Sequence, residues 1–129
     1  MIGINVNSRS IPFADLIVNG RKLFETRASD SLRPWIGQRV AIVKTGAGKA
    51  LAIGAATIGP PIIVNEAEFR ALESLHHVPE NSEFDIRPQG VKYLYPVIDA
   101  ERFEIPLRVG PGIIARRVLT HNMGCSNDL

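Results

Sequence analysis

G-R-K-L-F-E-T-R, residues Gly20 to Arg27, sets the ammonium of Lys22, the carboxylate of Glu25 and the guanidinium of Arg27 within eight positions. Charges withdrawn from water carry a desolvation cost that pairing often fails to recover, so a cluster of this kind points to function rather than to stability alone. Its surroundings suggest how it is carried. Upstream, Ser10 stands where an N-cap belongs, Pro12 falls in the first turn, Asp15 complements the helix dipole and Gly20 closes the segment, which predicts a short helix over about 11 to 19. Leu23 to Arg27 reads as a strand whose period of two puts Leu23, Glu25 and Arg27 on one face and Phe24 and Thr26 on the other. Lys22 has the opposite parity and joins the pair only if the chain bends after Gly20, as a left-handed glycine cap allows.

Outward from there, Ile2, Ile4 and Val6 alternate as in a half-buried opening strand. Arg33 to Gly37 reads as a loop, Gln38 to Lys44 as a strand, Thr45 to Gly48 as a turn and Leu51 to Ile58 as a strand of small residues. After Pro60-Pro61, Asn65 and Glu68 form a capping box for a helix with Phe69, Leu72 and Leu75 on its inner face. Tyr93 to Asp99 and Gly112 to Val118 are further strands, separated by Pro106 and by Gly110-Pro111-Gly112, and residues 120–129 read as a frayed tail. Many short strands with few helices predict an α+β fold built on a small β-barrel, since closing a sheet removes its edges.

A length of 129 residues fits a single domain, 1–129 with its core over about 2–119, large enough to bury one core without disulfides or metal. With 45% hydrophobic residues the chain reads as globular, and no apolar run approaches the roughly 20 residues of a membrane-spanning helix. The start of the sequence shows no secretory pattern, so a cytoplasmic location is the default expectation. Cys125 is the sole cysteine, which excludes an intramolecular disulfide. The net charge of +2 conceals an asymmetry: residues 1–64 carry eight basic and three acidic groups, whereas residues 65–129 carry seven and ten. A basic half that also holds the charged cluster would attract a phosphate-bearing ligand; two ordinary solvated surfaces would look the same.

The pattern Gly20, Lys22, Glu25 and Arg27, preceded by Pro12-Phe13-Ala14 and Leu16-Ile17 and followed by Ile36-Gly37 and Val40 to Val43, resembles the activating signal cointegrator homology (ASCH) family, whose hallmark is G-x-K-x-x-E-x-R after a short helix. The resemblance extends over residues 11 to 59, is weaker over 91 to 118 and does not reach 62 to 90. Phe13 stands where many members carry Trp. The resemblance implies a PUA-like barrel with flanking short helices and a cleft beside the motif, and it implies contact with single-stranded RNA or a nucleotide or nucleoside.

On that reading Lys22, Glu25 and Tyr93 are the candidate catalytic residues, and Arg21, Arg27, Arg33, Trp35, Lys44 and Lys49 are candidates for holding RNA. Arginine offers a planar fork for phosphate or a base edge, while lysine is a compact charge whose pKa moves readily. Trp35, Tyr93 and Tyr95 are flat surfaces on which unpaired bases can stack, core packing being the competing role. Four readings are open: metal-independent cleavage of RNA, with Lys22 stabilising the phosphorane and Glu25 or Tyr93 handling protons; amide hydrolysis of an acetylated cytidine, the resembling branch having a threonine where this chain has Glu25; binding of RNA or a nucleotide without chemistry; and a protein-interaction module with no RNA affinity. No metal or other cofactor is expected. Lys44 to Lys49 lacks the first glycine and the final Ser or Thr of a phosphate loop, having Val43 and Ala50 there. His76, His77, His121 and Cys125 lack zinc-ligand spacing, and Ser10, Ser29 and Ser126 lack a nucleophile elbow.

Overall fold

Val40, Ala41, Ile42 and Val43 are all buried, and the period of two divides them between two apolar layers. Val40 and Ile42 join the main cluster, while Ala41 and Val43 join a smaller one with Ala52 and Val118. A strand apolar on both faces belongs in the middle of a sheet. This strand, β3 (Arg39–Thr45), accordingly pairs parallel with β1 (Ile2–Asn7) and antiparallel with β4 (Leu51–Ile58). The computed structural model describes residues 1–119; the tail 120–129, with His121, Cys125 and Ser126, lies outside the described residues.

The remaining elements are α1 (Phe13–Val18), β2 (Phe24–Arg27), a 3-10 turn at Arg33–Trp35, β5 (Ile62–Val64), α2 (Glu66–Ala71), α3 (Glu73–His76), β6 (Lys92–Val109) and β7 (Ala115–Leu119). The seven strands follow the order β2-β6-β4-β3-β1-β7, with β5 also on β6. A further β6–β7 pairing brings the hydrogen-bonded path back to β6, so the sheet closes on itself as an irregular mixed α+β assembly rather than a regular barrel. Among the described residues, no helix is long and apolar enough to cross a membrane.

Strand β6 differs most from the sequence reading, which ended it at Asp99. It runs for 18 residues through both Pro96 and Pro106. Its ladder with β4 jumps from Ala52–Leu107 to Gly54–Arg102, so the segment containing Pro106 bulges out where no backbone donor is required. Asp99 takes a positive φ of 51° and bends the strand without ending it. At Gly54 a side chain would strike the Glu101 carbonyl and Val18, and its absence lets α1 press against the β4–β6 ladder.

Helix α1 begins at Phe13, later than expected, and Ser10 is not its cap. Ser8 does that work from a distance: its buried Oγ accepts from the Ala14 backbone N–H at 3.1 Å. At α2 the expected capping box is present, with Asn65 Oδ1 accepting from Glu68 N and Glu68 Oε1 accepting from Asn65 N, both at 2.9 Å. Phe69 is buried, whereas Leu72 and Leu75 are only half-buried.

Candidate functional site

Gly20 adopts φ +78°, and the Arg21 and Lys22 backbone N–H groups both donate to the Leu16 carbonyl at 2.9 Å. The chain therefore turns back under α1 before β2 begins, and that turn carries Lys22 onto the side of Glu25 and Arg27. Residues from α3 hold the turn. The Leu23 N–H donates to the Leu75 carbonyl at 2.8 Å, Lys22 Nζ donates to the His76 carbonyl, and His77 Nε2 lies 3.0 Å from the Arg21 carbonyl.

His76 is buried and stacked on Phe69 with ring centroids 4.0 Å apart. Its Nδ1 accepts from the Val78 N–H at 2.9 Å, which leaves Nε2 to donate to the Phe69 carbonyl at 2.7 Å. Both ring nitrogens are thus committed within the protein, and burial pushes the imidazole pKa down, keeping it neutral.

Lys22, 1% exposed, lies with Nζ 4.6 Å from the Phe13 ring centroid. Burial lowers its pKa to about 8; Glu25 counteracts the fall, while Arg27 and Lys92 add to it. Glu25 is 8% exposed, and its Oε2 accepts from Arg27 Nε at 2.9 Å, the contact expected from their shared strand face. Arg27 Nη2 donates to the Asn5 carbonyl at 2.6 Å, which ties the pair on β2 to β1.

These three side chains line one cleft of about 480 Å³. Phe13 and Phe84 also line it, packed edge to face at 5.9 Å. Asn5, Lys92 and Arg116 contribute from β1, β6 and β7. Thr26, expected to face away, borders the cleft as well, so strand parity does not exclude it from the site. The volume falls within the usual range for small-molecule pockets.

The other candidates lie apart. Tyr93 is the cross-strand partner of Arg27 but is not a cleft-lining residue. Tyr95 is fully buried in the main core, which removes it as a stacking surface. Trp35 is half-buried and packs against the same core away from the cleft. Arg21 and Arg33 are exposed, Arg33 lying 3.8 Å from Asp30. Lys44 pairs with Asp15 at 2.8 Å, and Lys49 is exposed in the β3–β4 turn, where Gly46 and Gly48 have positive φ. Sequence reasoning missed Asn5, Phe84, Lys92 and Arg116. No local pattern marks them, because each enters the site through long-range strand closure or the connection after α3.

The architecture is a mixed sheet with short helices and a cleft beside the turn after α1. Among solved structures it is similar to the ASCH protein of Zymomonas mobilis, with a TM-score of 0.67 and 19% identity over 83% of this chain and 72% of that one. A serine-to-alanine variant of that protein, covered to 72%, and a tyrosine-to-phenylalanine variant, covered to 74%, superpose with the same TM-score and identity. The fold is thus that of ASCH proteins, in agreement with the Gly20 to Arg27 motif. No protein-family profile and no curated protein matches the sequence.

Proposed function

We propose that this chain is an RNA-directed ASCH domain that seats one nucleotide of a single strand in the cleft beside Lys22. The observation that carries the reading is the convergence of Lys22, Glu25 and Arg27 on a space of about 480 Å³ with an aromatic wall. Arg27, oriented by Glu25 and Asn5, presents remaining guanidinium N–H groups to phosphate or a base edge. Phe84 offers a half-exposed ring against which a base can lie. Fluorescence anisotropy with labelled single-stranded RNA, duplex RNA and single-stranded DNA tests this. Affinity is expected for single-stranded RNA and weakens as salt rises, because phosphate neutralisation releases counterions. Absence of RNA affinity at low salt removes the reading.

A second reading, metal-independent cleavage of the bound RNA, is favoured by the lowered pKa of Lys22, since functional sites hold titrating groups near the working pH. In it Glu25 takes the proton of the 2′-hydroxyl as that oxygen bonds to phosphorus, Lys22 stabilises charge on the phosphorane, and the P–O5′ bond breaks as Glu25 returns the proton to the departing 5′-oxygen, leaving a 2′,3′-cyclic phosphate. Tyr93, the cross-strand partner of Arg27, does not line the cleft, and the proton transfer falls to Glu25. Chelator-treated protein should cleave labelled RNA and Lys22→Ala should not; equal cleavage by both would identify a contaminant.

A further inference from the structure

Among the described residues, the lysine and arginine side chains that are not exposed are Lys22, Arg27, Lys44, Arg70, Lys92 and Arg116. Lys44 is paired with Asp15 at 2.8 Å, Arg70 with Asp85 at 2.8 Å and Arg27 with Glu25 at 2.9 Å. Lys22, Lys92 and Arg116 have no carboxylate at ion-pair distance among the described residues, and all three line the same cleft. A cation that loses water without gaining a counterion costs stability, so the coincidence of all three in one cavity points to an anion supplied from outside.

Asn5 sharpens the geometry. Its Nδ2 donates to the Ile113 carbonyl at 2.7 Å and to that of Gly112 at 3.2 Å, which fixes the amide so that Oδ1 faces Arg116. Arg116 Nε donates to that Oδ1 at 2.9 Å, and its Nη1 donates to the Gly110 carbonyl at 3.1 Å. Arg27 meets the backbone oxygen of the same asparagine. Two guanidinium groups are thereby held on one residue, and Glu25 pairs with only one of them, Arg27. An oxyanion between them would replace repulsion with charge-assisted hydrogen bonds.

We propose that Lys92 and Arg116, together with Arg27, form a phosphate subsite, so that the cleft takes a phosphorylated nucleotide rather than a free nucleoside. This rests on the nucleotide reading above and assigns its anionic part to residues outside the motif. Phosphate suits the subsite better than carboxylate because its additional oxygens can engage three cationic donors at once. The group can be a terminal phosphomonoester or the phosphodiester of a strand, and the two are separable by titration.

The probes are adenosine and uridine, their 5′-monophosphates, the dinucleotide UpA and inorganic phosphate, titrated calorimetrically into the wild-type chain and Lys92→Met. Circular dichroism and the thermal midpoint check folding of the variant. The monophosphates should bind at least about tenfold more tightly than the matching nucleosides, and Lys92→Met should remove most of that advantage while leaving nucleoside affinity in place. UpA sharing the advantage assigns a phosphodiester; its restriction to monophosphates assigns a terminal phosphate. Equal binding of nucleosides and monophosphates, or an advantage intact in folded Lys92→Met, overturns the subsite while leaving nucleotide binding standing. If no nucleoside or nucleotide binds, but inorganic phosphate raises the thermal midpoint of the wild type and not of Lys92→Met, the subsite stands and the nucleotide reading falls. Absence of any phosphate effect as well overturns both.

Discussion

Charge is arranged in opposite ways at the cleft and at the cluster around Arg70. Arg70 on α2 meets Asp85 at 2.8 Å, Glu66 at 3.3 Å and Glu80 at 3.8 Å. Asp85 also accepts from the backbone N–H groups of Ile86 at 2.7 Å and Asn81 at 2.8 Å, so acids outnumber the base and every group has partners. At the cleft the bases outnumber the acid: Lys22, Arg27, Lys92 and Arg116 surround Glu25, three of them without a carboxylate partner among the described residues. A cluster selected to pin a segment saturates its contacts, whereas one selected to receive a ligand leaves contacts open at a cost in stability. Perturbing each side should therefore move different observables.

The largest effect is expected at Lys22. Lys22→Met keeps the aliphatic volume against Phe13 and removes the charge, so RNA affinity should fall by roughly 30- to 100-fold, the usual loss for a charge-assisted contact in a desolvated site. Stability should hold or rise, because a buried ammonium is removed. The pH dependence separates the two quantities. With a folded pKa of about 8 against an ordinary 10.5, the unfolded chain holds the proton more tightly, so wild-type stability relative to Lys22→Met should increase as pH rises from about 8 towards 10.5. RNA affinity should decline over the same rise as the ammonium titrates. A parallel fall of both in urea titrations and anisotropy would mark Lys22 as structural and erase the contrast.

His76 links the two regions and should give the next largest effect. His76→Leu preserves the carbonyl that receives Lys22 but strands the Val78 N–H and takes from the Phe69 carbonyl one of its two donors, the Leu72 N–H remaining at 3.2 Å. A loss of about 2 kcal/mol in chemical denaturation is expected, with RNA affinity of the folded protein changing less than for Lys22→Met. The wild type should also lose stability as pH drops below about 6.5, because the buried ring's depressed pKa makes the unfolded state the better proton acceptor, and His76→Leu should abolish that part of the acid sensitivity. An unchanged acid profile would show that the ring is not the titrating group.

What was legible in the sequence follows the same division between local and long-range causes. The capping box at Asn65 and Glu68, the bend at Gly20 and the meeting of Glu25 with Arg27 depend on residues a few positions apart, and short-range spacing reports them. The two-sided burial of Val40 to Val43 is likewise visible in an unbroken apolar run. Strand β6 was cut short because Asp99 and Pro106 look like punctuation, and only pairing with β4 reveals that bulges absorb them. Half of the cleft stayed hidden for a related reason: Arg116 reaches Asn5 across 111 positions, and Lys22 reaches His76 across 54, inside a region with no family resemblance.

The smallest effect should come from breaking the saturated cluster. Asp85→Ala removes the principal partner of Arg70 and an acceptor for two backbone donors, and the thermal midpoint should drop by roughly 5 °C. RNA affinity should stay within about threefold of wild type, the scale of a partly screened charge. It need not stay fixed, because the Asp85 carboxylate helps Lys92 retain its proton while burial pushes the Lys92 pKa down. That coupling gives the comparison its finest test. Removing the carboxylate makes the site's surroundings less negative but makes Lys92 easier to deprotonate, so any gain in affinity should shrink as pH rises. Measured against Lys92→Met alone, the Asp85→Ala, Lys92→Met double variant should show no further pH-dependent change in affinity, so that Asp85→Ala adds only the thermal loss. A large drop in RNA binding from Asp85→Ala alone would mean that the two clusters act as one site.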